Sequence, residues 1–123
     1  MASEDGWRRR ARAADALHEW LAEEHASDWA LVIGDVNDDI DVSTYRSRCS
    51  PFANLVADPM LRFTTDALGE SAQPPTVFWS ATIDHHLATA RLARRFVAHS
   101  AIVVPANDWE RNYARTPRDH FPR

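Results

Sequence analysis

Apolar residues recur at helical spacing near the start of the chain, where Trp7, Ala11, Ala14, Leu17 and Leu21 form one stripe. The stripe predicts an amphipathic helix over residues 5–25, with Ser3, Glu4 and Asp5 supplying the cap and first-turn acids. Residues 29–33 are a continuous apolar run closed by Gly34, the pattern of a buried strand. Residues 35–48 are polar and acidic and predict a surface loop. Ser50 followed by Pro51 opens a short helix carrying Phe52, Leu55 and Val56, which Asp58-Pro59 ends.

Beyond it the pattern turns to strands. Residues 61–65 predict one, and residues 69–75 a loop. Residues 76–79 and 82–88 predict a pair joined at Ser80-Ala81, followed by a helical turn over 90–95 and another strand over 97–104. Residues 105–117 lack periodicity and read as a loop leading to Asp119-His120. A helix, a strand, a helix and then several strands predict a mixed α/β (α+β) layer. No internal repeat or linker divides residues 1–123.

Composition narrows the classes without choosing one. A chain of 123 residues, 45% hydrophobic and 26% charged, suits one small globular domain that can bury a core with little margin. A formal net charge of -4 argues against a generally basic nucleic-acid surface. All 14 basic residues are Arg. Lone Cys49 cannot form an internal disulfide, and no base stands at a telling position for a thiol nucleophile. The polar, Arg-rich start lacks the apolar core of a signal peptide, so the expected location is cytoplasmic by default. No segment approaches the ~20 apolar residues of a membrane span.

The candidate chemistry lies in three short stretches. Leu31-Val32-Ile33-Gly34-Asp35-Val36-Asn37 brings a carboxylate and an amide to the end of a strand. Thr82-Ile83-Asp84-His85 brings a second carboxylate, and Asp119-His120-Phe121-Pro122 an adjacent acid and imidazole. Together they supply a metal ligand, a group to activate water and an imidazole, the inventory of phosphoester hydrolysis. Each has a plainer reading. Gly34-Asp35 and Asn37-Asp38 favour turns, and Asp119-His120 could belong to an exposed tail.

Other residues invite weaker readings. Arg8, Arg9, Arg10 and Arg12 lie mostly off the helix stripe, as phosphate contacts or as a solvated face. Asp35, Asp38, Asp39 and Asp41 cluster as calcium loops do, without the glycine and terminal Glu of an EF-hand. Asp84-His85-His86 matches the Asp-His-His triplet of another metal phosphoesterase family, but neighbours on a strand point to opposite faces. His18, His25 and His99 show no ligand spacing. Trp20, Trp29, Trp79 and Trp109 could stack on bases, with buried packing the expectation for most.

Gly34-Asp35-Val36-Asn37, Ile83-Asp84-His85 and Arg118-Asp119-His120-Phe121-Pro122 give the chain a likeness to a known family. It resembles the C-terminal half of the endonuclease/exonuclease/phosphatase superfamily, the DNase I-like metal-dependent phosphoesterases. The resemblance implies one half of a four-layered α/β/β/α sandwich. It also implies Mg2+ or Mn2+ as cofactor and a phosphoester substrate, either nucleic acid or a small phosphoester. By the same resemblance Asp35 activates water or binds metal, and Asn37 orients nucleophile and phosphate. Asp119 binds metal, His120 bonds the scissile phosphate, and Asp84 holds the other ring nitrogen of His120.

The chain also departs from that family. The metal-binding Glu and its partners belong to the N-terminal half, and Arg118 stands where the family has Ser. The expectation is therefore a domain truncated at both ends, weakly active or inactive alone. It would self-associate or need the missing N-terminal half. Val77, Trp79, Ile83, Leu87, Ile102 and Val104 are expected to include several residues facing that lost partner. The alternative is a non-catalytic remnant acting as an interaction or structural module.

Overall fold

A computed structural model describes residues 2–70, 81–104 and 108. Helix α1 (Glu4–Glu24) forms where the stripe predicts it, with the Ser3 hydroxyl accepting from the Gly6 amide at 3.1 Å. Strand β1 (Leu31–Asp35) follows, then α2 (Ala53–Ala57), β2 (Leu61–Phe63), a 3-10 turn at Asp66–Glu70, β3 (Asp84–Thr89) and α3 (Ala90–Ala93). The fold is mixed α/β, a small antiparallel sheet with helices against it.

The strands are ordered β1-β3-β2, so β3 is central. Val32 and Phe63 both pair with Leu87, whose side chain is buried between them and the helices. Ala14 and Leu21 of α1, Ile40, Phe52, Leu55 of α2, Phe63 and Leu87 make one core, with Leu17, Val32, Val36 and Leu61 packed at its margin. The sheet thus turns one face to α1 and α2.

The other face differs from expectation. The run at residues 29–33 was expected to be buried, yet β1 starts two residues later and lies at the sheet edge beside β3 alone among the described strands. Alternate side chains of a strand face opposite sides of the sheet, so Val32 packs inward while Leu31 and Ile33, on the other face, remain 51% and 62% exposed. Leu87 is part of the core and does not face a partner. Ile83 and Val104 are half-buried, Ile102 is exposed, and Val77 and Trp79 lie outside the described residues.

The strand expected over 97–104 does not form. His99 takes a left-handed φ of 61°, and the Ser100 amide bonds back to the Val97 carbonyl, so the chain turns there. Local turn geometry overrides the strand preference of its valines and isoleucine. The second helix also begins later than expected. The Ser50 hydroxyl accepts from the Phe52 amide and donates to the Asp39 carbonyl, so it ties the loop together ahead of the helix. The partner strand expected over residues 76–79 lies outside the described residues. Among the described residues, no helix is long and apolar enough to cross a membrane.

Candidate functional site

The ladder between β1 and β3 brings two of the candidate acids together. Asp35 is the register partner of Asp84, and the Val36 amide extends the pairing by donating to the Ile83 carbonyl at 2.8 Å. Directly opposed residues on antiparallel strands hold their Cβ atoms roughly 5 Å apart. Both carboxylates therefore rise from the same end of the same face. Like charges directly opposite one another destabilise a ladder. The pair gathers carboxylate oxygens at one end of the sheet.

Asn37 stands two residues beyond, at the same end. Its backbone has a φ of 58°, which Asn tolerates better than most residues, and its amide donates to Asp35 Oδ1 at 2.8 Å. The turn reading of Gly-Asp-x-Asn is therefore realised in the structure. One oxygen of Asp35 accepts this turn bond, which also fixes the carboxylate's orientation. Asp119 and His120 lie outside the described residues, so the expected contact between Asp84 and His120 falls there too.

The paired histidines separate as strand geometry requires. His85 is buried on the helix side, with Nε2 3.0 Å from the Thr82 carbonyl and Nδ1 3.1 Å from the Thr65 hydroxyl. A carbonyl only accepts, so Nε2 donates to it. The Thr65 hydroxyl already accepts from the His86 amide and can donate to Nδ1. His85 is therefore a packing residue set edge-on to Phe63. His86 lies on the opposite face, where a cavity of about 350 Å3 opens between Leu31, Thr64, Phe96 and Ile102. Among the described residues, no group of three or more His, Cys, Asp or Glu is placed to hold a metal ion.

The acidic loop after β1 has a different organiser. Asp38 is fully buried, and its carboxylate accepts from Arg10 Nε at 3.0 Å and the Ser43 hydroxyl at 2.8 Å. It also accepts from the Thr44 amide at 2.6 Å and the Asp39 amide at 3.0 Å. Asp39 in turn accepts from the Asp41 amide, so these acids build the loop that carries Asn37. Arg10 is thus part of the interior and not of a solvated or phosphate-binding helix face. A signal was present in the sequence: Arg10 lies three residues after Trp7 and four before Ala14, on the apolar stripe itself.

The expectation about the tryptophans also needs correcting. Buried packing was expected for most of Trp20, Trp29, Trp79 and Trp109, but Trp20 and Trp29 are 50% and 55% exposed, and the other two lie outside the described residues. Trp29 stands just ahead of β1 with the guanidinium carbons of Arg91 and Arg95 5.8 and 5.5 Å from its ring centre. His18 and His25 are held by Asp58 and Asp28 at 2.7 and 2.8 Å. Set against family models, curated proteins and solved structures, the chain matches none of them.

Proposed function

We propose that the protein is a divalent-metal-dependent phosphoesterase domain whose sheet and helices correspond to one half of a DNase I-like α/β/β/α sandwich. The observation that carries this reading is the register of Asp35 with Asp84, with Asn37 at the same sheet end. The resemblance in sequence requires that convergence, and a fold that scattered these residues would have removed its support. Hard carboxylate oxygens fit Mg2+ or Mn2+, and Mg2+ needs only one or two carboxylates because it keeps several waters. Asp35 and Asp119 would hold the ion, which when bound would neutralise charge on the phosphoryl oxygens.

The remaining roles belong to side chains. Asp35 accepts the proton of the attacking water, and its strand-end position restricts where that water can sit. The Asn37 amide orients water and phosphate. His120 donates to the phosphoryl oxygen on which charge develops, and Asp84 fixes the tautomer of His120 by accepting from its other ring nitrogen. Exposed Leu31, Ile33 and Ile102 favour a second reading as an interaction module, because they offer apolar surface on the face turned away from α1.

Mn2+ binding followed by water-proton relaxation, alongside hydrolysis of a chromogenic phosphodiester, separates the two readings. Weak binding and slow Mn2+-dependent turnover, both lost in Asp35→Ala, are the expected outcome. Absence of any Asp35-dependent metal binding would overturn the phosphoesterase reading.

A further inference from the structure

Strand β1 has chemically opposite ends. At its C-terminal end Asp35 faces Asp84. Just before its N-terminal end, exposed Trp29 lines a surface hollow whose other walls are Arg91, Arg94 and Arg95. On a chain of net charge -4, three guanidinium groups around one half-exposed indole make a local reversal of sign. Arg91 uses one donor on the Ser27 carbonyl at 2.7 Å, and a guanidinium has four more. The nearby Asp28 carboxylate is engaged by His25 at 2.8 Å. Arg91 and Arg95 sit at the long end of cation–π range, so neither seals the ring.

From this arrangement we infer that the hollow at Trp29, Arg91, Arg94 and Arg95 binds single-stranded polynucleotide, stacking one base on Trp29 and holding adjacent phosphates with the arginines. An aromatic platform within a cationic groove is how sequence-tolerant single-strand binders work. A free phosphate or small phosphoester would use the arginines and leave the indole without a role. From Trp29 to Asp35 the chain spans at most about 20 Å at 3.4 Å per residue. At the same rise per stacked base, about six nucleotides cover that length. A strand anchored at Trp29 and running along the β1 edge thus reaches the Asp35–Asp84 end. The inference deepens the phosphoesterase reading, on which the catalytic meaning of that reach depends, and names a polynucleotide as the substrate class.

The test is fluorescence anisotropy of labelled oligo-dT and oligo-rU 12-mers with the full chain in EDTA, which separates binding from hydrolysis. Both oligomers are expected to bind, with log K falling against log salt at a slope of about -2 for three phosphate contacts. Binding weakens about tenfold or more in Trp29→Ala, recovers in Trp29→Phe, and is lost in the Arg91→Ala/Arg95→Ala double variant. Preference for one oligomer identifies the sugar and leaves the inference standing. No binding, or binding indifferent to these variants and to salt, would overturn it. So would an anisotropy change that follows self-association of the protein and not oligonucleotide concentration. Oligonucleotide binding without Asp35-dependent metal binding would sink the phosphoesterase reading alone. Asp35-dependent hydrolysis of the small phosphodiester without oligonucleotide binding would sink this inference alone.

Discussion

Asp38 is the residue on which the site loop depends most. Both oxygens of its fully buried carboxylate accept hydrogen bonds, from the Asp39 and Thr44 amides, the Ser43 hydroxyl and Arg10, which reaches it from α1. Removing one partner of a buried pair leaves the other charge uncompensated, at a cost of about 3–5 kcal/mol. Asp38→Ala should therefore lose at least ~3 kcal/mol in urea denaturation, a large share of the stability of a small domain. Asp58 shows a gentler dependence. Its carboxyl is held below the ordinary value of 3.8, first by the hydrogen bond with His18 and then by the Met60 amide. The unfolded chain takes up that proton more readily, so the contribution is full above the ordinary carboxylate range. It is lost as pH falls through 3.8 towards the lower folded value. His18→Ala should flatten this part of the acid limb when melting temperature is followed against pH.

Among the elements, α1 is the one whose local signals and packing agree. Its stripe, its cap and its acidic first turn all appear in the chain as read, and Ala14, Leu17 and Leu21 reach the core. Ser3→Ala should cost about 1 kcal/mol by thermal or chemical denaturation, because it leaves the Gly6 amide without its cap acceptor. A loss below the error of the measurement would mean that water replaces the hydroxyl fully. Strand β1 shows the opposite case. Its apolar run is the same for a central strand and for an edge strand with one unpacked face, and only the strand order tells them apart. Residues 97–104 have strand-forming side chains but turn at His99, where the backbone conformation outweighs propensity.

For the whole molecule, the consequence is a two-faced sheet with one face packed on helices and the other carrying Leu31 and Ile33 in solvent. Apolar surface of this kind favours association at roughly 25 cal/mol per Å2 covered. Ile33→Thr keeps a β-branched side chain in the strand and should leave the melting temperature within a few degrees of the parent. It should also reduce light scattering at high protein concentration. A large fall in melting temperature instead would show that Ile33 is packed in the folded chain.

What the sequence determined by itself was local: where α1 begins and which of its faces is apolar, the polar loop after Gly34, the stop at Asp58-Pro59, and the three stretches holding candidate chemistry. Spacing, caps and prolines act over a few residues, so they are legible without a fold. The site roles that the resemblance implies need Asp35 and Asp84 near one another, but it is the ladder between β1 and β3 that sets them opposite each other across 49 positions. The burial of Asp38 with Arg10, the packing role of His85 beside half-buried His86 on the other face, and the placing of Trp29 among the arginines of α3 and the turn after it were decided by tertiary structure alone. Each depends on which distant segments share a surface, and no short-range pattern encodes that.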